Sequence, residues 1–375
     1  LIKKMENEKK QVQVKEFISK IDNKDFGLYF FTLDTKGNPT AGIANIYEHV
    51  KVLNDLGYKA HILHEKDDYH GVEEWLGEEY AKLPHVSIEQ QNLKLVTIDY
   101  IIVPEIFANV MEQVKDFPCK KIVFSQSYSY ILELLPIGNR WDLNFGFTDV
   151  ITTSERQSEY IKDLFPSIDT HIIPPSIPEY FKTTDKIKKP IVSIVTRDQK
   201  TALRLVKSFY LQHPMYKWIT FRELRGLPRK TFAEQLGESC LAIWVDDESS
   251  FGTFPIEAME CDTPVIGKIP AMIPEWMEDD NSDEQQISLK DNGVWTNNEL
   301  SIPNLVSEFM RVWLEDNVPN TLMEGVKKSK GQYTEDKQIE NIKRVYGNLI
   351  ANRRSEFEAL IDITKEKEKE NKDEK

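Results

Sequence analysis

Apolar positions along the chain fall into two patterns that take turns. Short continuous apolar runs give way to stretches where apolar residues recur every three or four positions, which is the rhythm of buried strand followed by helix. Runs at 26–32, 59–63, 93–103, 121–124, 149–153 and 170–174 predict strands in the first half. Runs at 190–195, 218–221, 241–245, 265–266 and 292–295 predict strands in the second. Strands that read as unbroken apolar runs belong to parallel sheets covered on both faces. Between them, Ile43, Ile46, Tyr47, Val50, Leu53 and Leu56 keep helical spacing, and Gly57 supplies the stop. Ser154 caps a helix reaching Leu164, Leu203, Val206, Phe209 and Tyr210 face one way over 201–211, and Ile302, Leu305, Phe309 and Val312 form one stripe over 302–314. The pattern predicts an α/β protein built from Rossmann-like halves.

A chain of 375 residues favours two domains. The first spans 1–178, with 1–24 read as a helix or frayed arm. The charged segment 179–189 is read as a linker, and 190–345 as the second domain. The stretch 335–361 reads as one or two long helices, a C-terminal helix is assigned to 346–364, and the tail 365–375, nearly all Lys, Glu, Asp and Asn, is expected to be disordered or a frayed helix extension. The net charge of −14 argues against a general nucleic-acid binder. No apolar run approaches the ~18–20 residues of a membrane helix. The three cysteines, Cys119, Cys240 and Cys261, read as buried thiols of a reducing compartment, so the cytoplasm is expected. His61 and His64 stand three apart on a strand and would face opposite ways. The chain lacks a phosphate-binding P-loop, a nucleophile elbow and metal-binding Cys/His spacing, so no metal is expected.

The most informative stretch is 241–267. An apolar strand meets the acidic loop Asp246-Asp247-Glu248-Ser249-Ser250, and Phe251-Gly252-Thr253-Phe254-Pro255 then opens a short helix over about 256–261. Gly252 permits a tight backbone, Thr253 can cap, Pro255 suits the first turn, and Asp262 and Pro264 end the helix. Such an entrance aims free N–H groups and a positive dipole end at an anion. Glu257, in the first turn, can accept hydrogen bonds from paired sugar hydroxyls or simply favour the dipole. Arg197 and Lys200 follow the strand at 190–195, where two cations can neutralise a diphosphate or stand solvated at the surface. Glu105 and Gln126 follow strands of the first half, at the carboxyl ends where ligands bind in open α/β sheets, or are ordinary loop residues.

Phe251-Gly252, Glu257-Ala258-Met259 and Thr263-Pro264-Val265 resemble the signature of the retaining GT-B glycosyltransferases, the large group 1 or family 4 set that uses nucleotide sugars. The resemblance implies two Rossmann-like domains facing each other across a cleft, with the C-terminal helix crossing back to the first. It makes Arg197 and Lys200 the catalytic cations on the donor diphosphate. Gly252, Thr253, Phe254 and Glu257 become donor-binding residues, with Glu257 on the ribose. The family's first glutamate is Ser249 here, so Glu248 or Asp247 would serve by a shift of the loop; Asp262 stands where a glycine is usual. Ala41-Gly42 is similar to the family's glycine-rich loop with only one of its two glycines, which places Gly42 with Glu105 and Gln126 on the acceptor side. Many relatives carry a histidine near Gln126, and in relatives the loop at 222–228 walls the nucleotide base. The resemblance further implies a UDP- or GDP-sugar donor, no cofactor beyond it, and a glycan, lipid-linked or protein acceptor. It leaves open peripheral contact with the inner face of the cell membrane and a role in polysaccharide synthesis. A nucleotide-sugar epimerase and an inactive partner subunit on the same fold are the alternatives.

Overall fold

The computed structural model describes residues 22–89, 93–182, 186–280 and 287–373. The reading of 1–21 as a helix or arm, and parts of the linker and of the acidic loop after Asp280, lie outside these.

The first domain holds β1 (Gly27–Phe31), β2 (Lys59–His64), β3 (His85–Ser87), β4 (Tyr100–Pro104), β5 (Lys120–Ser125), β6 (Asp149–Thr152) and β7 (Asp169–Ile172). They form one parallel sheet in the order β3-β2-β1-β4-β5-β6-β7. Its helices are α1 (Ala41–Asp55), α2 (Glu78–Ala81), α3 (Ala108–Val114), α4 (Tyr128–Leu134) and α5 (Glu155–Leu164). The second domain holds β8 (Lys189–Thr196), β9 (Thr220–Glu223), β10 (Ser239–Val245), β11 (Val265–Lys268) and β12 (Val294–Thr296), parallel in the order β12-β11-β10-β8-β9. Its helices are α6 (Gln199–Gln212), α7 (Arg229–Glu238), α8 (Thr253–Glu260), α9 (Ile302–Leu314) and α10 (Asn320–Ser329), followed by the terminal α11 (Glu335–Asp373). Every residue of β4 and of β10 is buried, as strands covered on both faces require.

Two local readings change. The run 93–103 yields a strand only over Tyr100–Pro104. Asp99 turns the chain before it, its carboxylate accepting from the N–H of Val96 at 2.8 Å and of Gly27 at 3.1 Å. Thr253 is the first helical residue of α8, not its cap; Gly252 is the cap, with a left-handed φ of 70°. Only glycine fits there, since a Cβ would meet the Trp244 ring at 2.9 Å. The charged tail continues the terminal helix to Asp373, the helix-extension alternative of the sequence reading, as good helix formers such as Lys and Glu allow.

α11 begins beside the second domain and ends on the first. Ile342, Val345, Tyr346, Leu349 and Ile350 join a core built around Phe26, Phe30 and Tyr47. Tyr100 Oη donates to the carbonyl of Leu349 at 3.0 Å, and buried His49 Nδ1 pairs with Tyr346 Oη at 3.1 Å. Burial drops the His49 pKa from 6.5 to about 3. The folded chain therefore keeps His49 neutral while the unfolded chain takes up a proton below its ordinary pKa. Its stability contribution is complete above pH 6.5 and is lost as pH falls toward 3. Tyr346→Phe should cost ~1–3 kcal/mol in urea unfolding at neutral pH, because it orphans a buried ring nitrogen. His49→Phe should flatten the decline of stability below pH 6.5 relative to wild type; an unchanged slope would show that His49 does not titrate in this way.

Candidate active site

The first sheet changes winding direction between β1 and β4, and the second between β8 and β10. Crevices outside the carboxyl ends of strands at such points bind ligands in open α/β sheets. Here both crevices open into one shared cavity of about 950 Å³, lined from both domains. Gly42, Glu105 and Gln126 line it from the first domain, and Arg197, Ser249, Gly252, Thr253 and Phe254 from the second. Glu257 is buried in α8 and Glu248 faces Arg197 at 3.4 Å; neither lines the cavity. Lys200 is exposed on the first turn of α6 and also stands outside the lining.

Hydrogen bonds cross the cleft at several places. Ser127 Oγ donates to the carbonyl of Glu248 at 2.5 Å, the Tyr128 N–H to Ser250 Oγ at 2.7 Å, and Tyr128 Oη to the carbonyl of Asp247 at 2.8 Å. The Arg229 N–H donates to the carbonyl of Trp75 at 3.3 Å. The Arg156 N–H donates to Glu275 at 2.7 Å, while its guanidinium grips Glu278 at 2.6 Å.

Two arginines organise the second domain's wall. Arg197 leaves the end of β8 and donates to Asp246 at 2.7 Å and to Tyr130 Oη, across the cleft, at 2.8 Å. Burial works against its charge, but Asp246, Tyr130 and Glu248 more than offset it, so its pKa is raised. Arg229, at the start of α7, also lines the cavity. Its guanidinium donates to Glu257 Oε1 at 2.5 Å and packs over the rings of Phe181 and Phe232 at 5.0 and 5.6 Å. Glu257 therefore meets the cavity through Arg229. α8 itself starts with no side-chain cap on its first N–H groups among the described residues, so they remain free for a ligand.

On the first domain's wall, Glu105 is buried at the end of β4. Its Oε1 accepts from the N–H groups of Gln126 at 2.8 Å and Ser127 at 2.7 Å. Burial pushes its pKa up to about 7, against the pull of those two donors. Beside it runs a relay of amides. Ser176 Oγ donates to Gln338 at 2.7 Å, Gln338 to Asn45 at 3.0 Å, Asn45 to Gln126 at 3.1 Å, and Gln126 to the carbonyl of Gly42 at 3.0 Å.

Arg229, Tyr130 and the Asn45–Gln338 pair were not foreseen as site residues. Arg229 had one local signal, its place after Pro228 at a helix start; the others depend on partners distant in the chain. Among the described residues, no cluster of His, Cys, Asp and Glu is placed to hold a metal ion, and no helix is long and apolar enough to cross a membrane. All three cysteines are buried.

Arg229→Met should destabilise the fold by roughly 3 kcal/mol, because it strands a buried carboxylate. Adding Glu257→Gln should recover much of that loss in chemical denaturation; no recovery would mean that Arg229 acts by packing alone. Glu105 carries the opposite pH signature to His49. Its raised pKa means the folded chain bears a cost that grows as pH rises from 4.5 through about 7. Glu105→Gln should therefore raise the melting temperature above neutrality and leave it nearly unchanged in mild acid.

No family model matches the chain. It is 26% identical over 263 residues to an α-1,6-glucosyltransferase of Actinobacillus pleuropneumoniae, an alignment covering 66% of this chain and 73% of that protein. Among solved structures it superposes on Anabaena HepE in complex with UDP and glucose with a TM-score of 0.62, at 12% identity, over 86% of this chain and 100% of that one. The pneumococcal O-GlcNAc transferase GtfA, solved with UDP and GlcNAc, gives 0.61 at 8% identity over 87% and 99%. Sucrose-phosphate synthase of Thermosynechococcus elongatus gives 0.61 at 11% identity over 87% and 100%. The facing parallel sheets, the cleft between them and the returning helix are those of the GT-B architecture, and the chain has the GT-B fold.

Proposed function

We propose that the chain transfers a sugar from a nucleotide-sugar donor, a UDP-sugar, to an acceptor held against the first domain, with retention of anomeric configuration. The observation that carries this reading is the pairing of Arg197 with the uncapped entrance of α8 on one cavity. A departing nucleoside diphosphate leaves negative charge, and preorganised donors aimed at that charge supply the largest catalytic term. Arg197 offers a guanidinium, and Thr253 and Phe254 offer backbone N–H groups at the positive end of a helix dipole, the Gly252 N–H being held by Ser249 Oγ at 2.8 Å.

Arg197 is poised but occupied. A diphosphate entering the cavity competes with Tyr130 Oη and Glu248 for its Nη1, while Asp246 keeps hold of Nε. The nucleotide's sugar meets α7 and α8, where Arg229 fixes Glu257. Support for UDP comes from the UDP complexes of HepE and GtfA. Support for retention comes from the α-linked product named for the Actinobacillus relative, because UDP-glucose itself is α-linked. Lys200, exposed beyond the lining, has no part in this scheme.

Arg197→Ala should weaken UDP binding about tenfold or more by calorimetry, the loss of one charge-assisted hydrogen bond. Lys200→Ala should leave it near the wild-type value. With UDP-glucose and a glucoside acceptor, proton NMR should show an α-linked product. A β-linked product would refute retention, and unchanged UDP affinity in Arg197→Ala would refute the placement of the diphosphate.

A further inference from the structure

The first domain's wall of the cavity is acidic. Glu48, Glu73, Glu74, Glu79 and Glu105 line it, against a single lysine, Lys51, which is already paired with Asp55 at 3.1 Å. The same wall carries aromatic side chains. Tyr80 Oη donates to Glu48 Oε2, which fixes both groups. Trp75 is buried at the wall, and its indole N–H finds no partner among the described residues. Aromatic bodies with polar tips, beside fixed carboxylate and amide acceptors, suit a polyhydroxylated ring: the ring's apolar face packs and its hydroxyls donate. The same carboxylates repel a phosphate or carboxylate brought into that space.

Resting on the donor reading above, we infer that the Glu48–Tyr80–Trp75 wall is the acceptor subsite and selects an uncharged or amine-bearing sugar against a phosphorylated or acidic one. This favours the non-reducing end of a glycan, free or carried on a larger molecule, over a sugar phosphate. The charge pattern supplies the discrimination: the diphosphate enters from the side of Arg197 and the uncapped helix, and the acceptor enters along carboxylates. Glu48 and Tyr80 set the orientation, and the exposed Glu73 and Glu79 set the charge preference.

The test is calorimetric titration of UDP-saturated protein with methyl α-glucoside, glucosamine and glucose 6-phosphate. The expected result is at least tenfold tighter binding of the first two than of the phosphate. Tyr80→Phe, which removes only the hydroxyl, should weaken glucoside binding about fivefold and leave UDP affinity unchanged. The surface double variant Glu73→Lys/Glu79→Lys should bring the phosphate within about threefold of the glucoside. Equal or tighter binding of glucose 6-phosphate by wild type, or undiminished glucoside affinity in Tyr80→Phe, would overturn the inference. Failure of wild type to bind UDP would overturn the donor reading instead; the three sugars are then compared on the donor-free protein by the same criterion.

Discussion

Arg229 is the contact on which the two halves of the site depend. Its guanidinium holds the carboxylate of Glu257 inside α8, and its backbone N–H reaches the Trp75 carbonyl of the opposite domain. A buried carboxylate without a cation is costly enough to displace a helix or to take up a proton. With Arg229 in place, α8 can keep buried Glu257 in its second turn, not the first turn expected from the sequence, and point the N–H groups of Thr253 and Phe254 outward. α8 and the first domain's wall of the cavity thus meet through one residue.

The cleft is shaped by what leaves each sheet at its winding switch. Arg197 and the loop 246–250 come from the second sheet, and Glu105 and Gln126 from the first. Glu105 sits beneath the turn 126–128, and that turn clamps the loop 246–250 through Ser127 and Tyr128. The two walls of the cavity are therefore held in register by hydrogen bonds across the gap.

Much of the fold was legible because central parallel strands are unbroken apolar runs, and α1, α6 and α9 are long enough to show their period. Elements such as α3 and α4 were not, because seven residues give less than two turns of periodicity and both start without a side-chain cap among the described residues. Strand β3, three residues long, has no pattern to read. At the site, residues just past a strand were legible, since topology sends them to the cleft. Lys200 shows the limit of that rule: three positions beyond Arg197 it has turned outward on the helix. Pairings made by tertiary structure were not legible, with Arg229 and Glu257 lying 28 residues apart and Asn45 and Gln338 lying 293 apart. Their residue types are ordinary, and nothing local marks them as partners.

The amide relay from Ser176 to Gly42 has a consequence for how the acceptor wall behaves. Each amide has a distinct donating and accepting end, so the chain of bonds runs in one direction, and neither terminus nor middle carries a titratable proton. A histidine in the place of Gln126 would turn an acceptor into a donor as the medium acidifies. With glutamine there, the relay itself keeps one direction of hydrogen bonding from acid to alkaline conditions, and the change of protonation on that face is left to its neighbour Glu105.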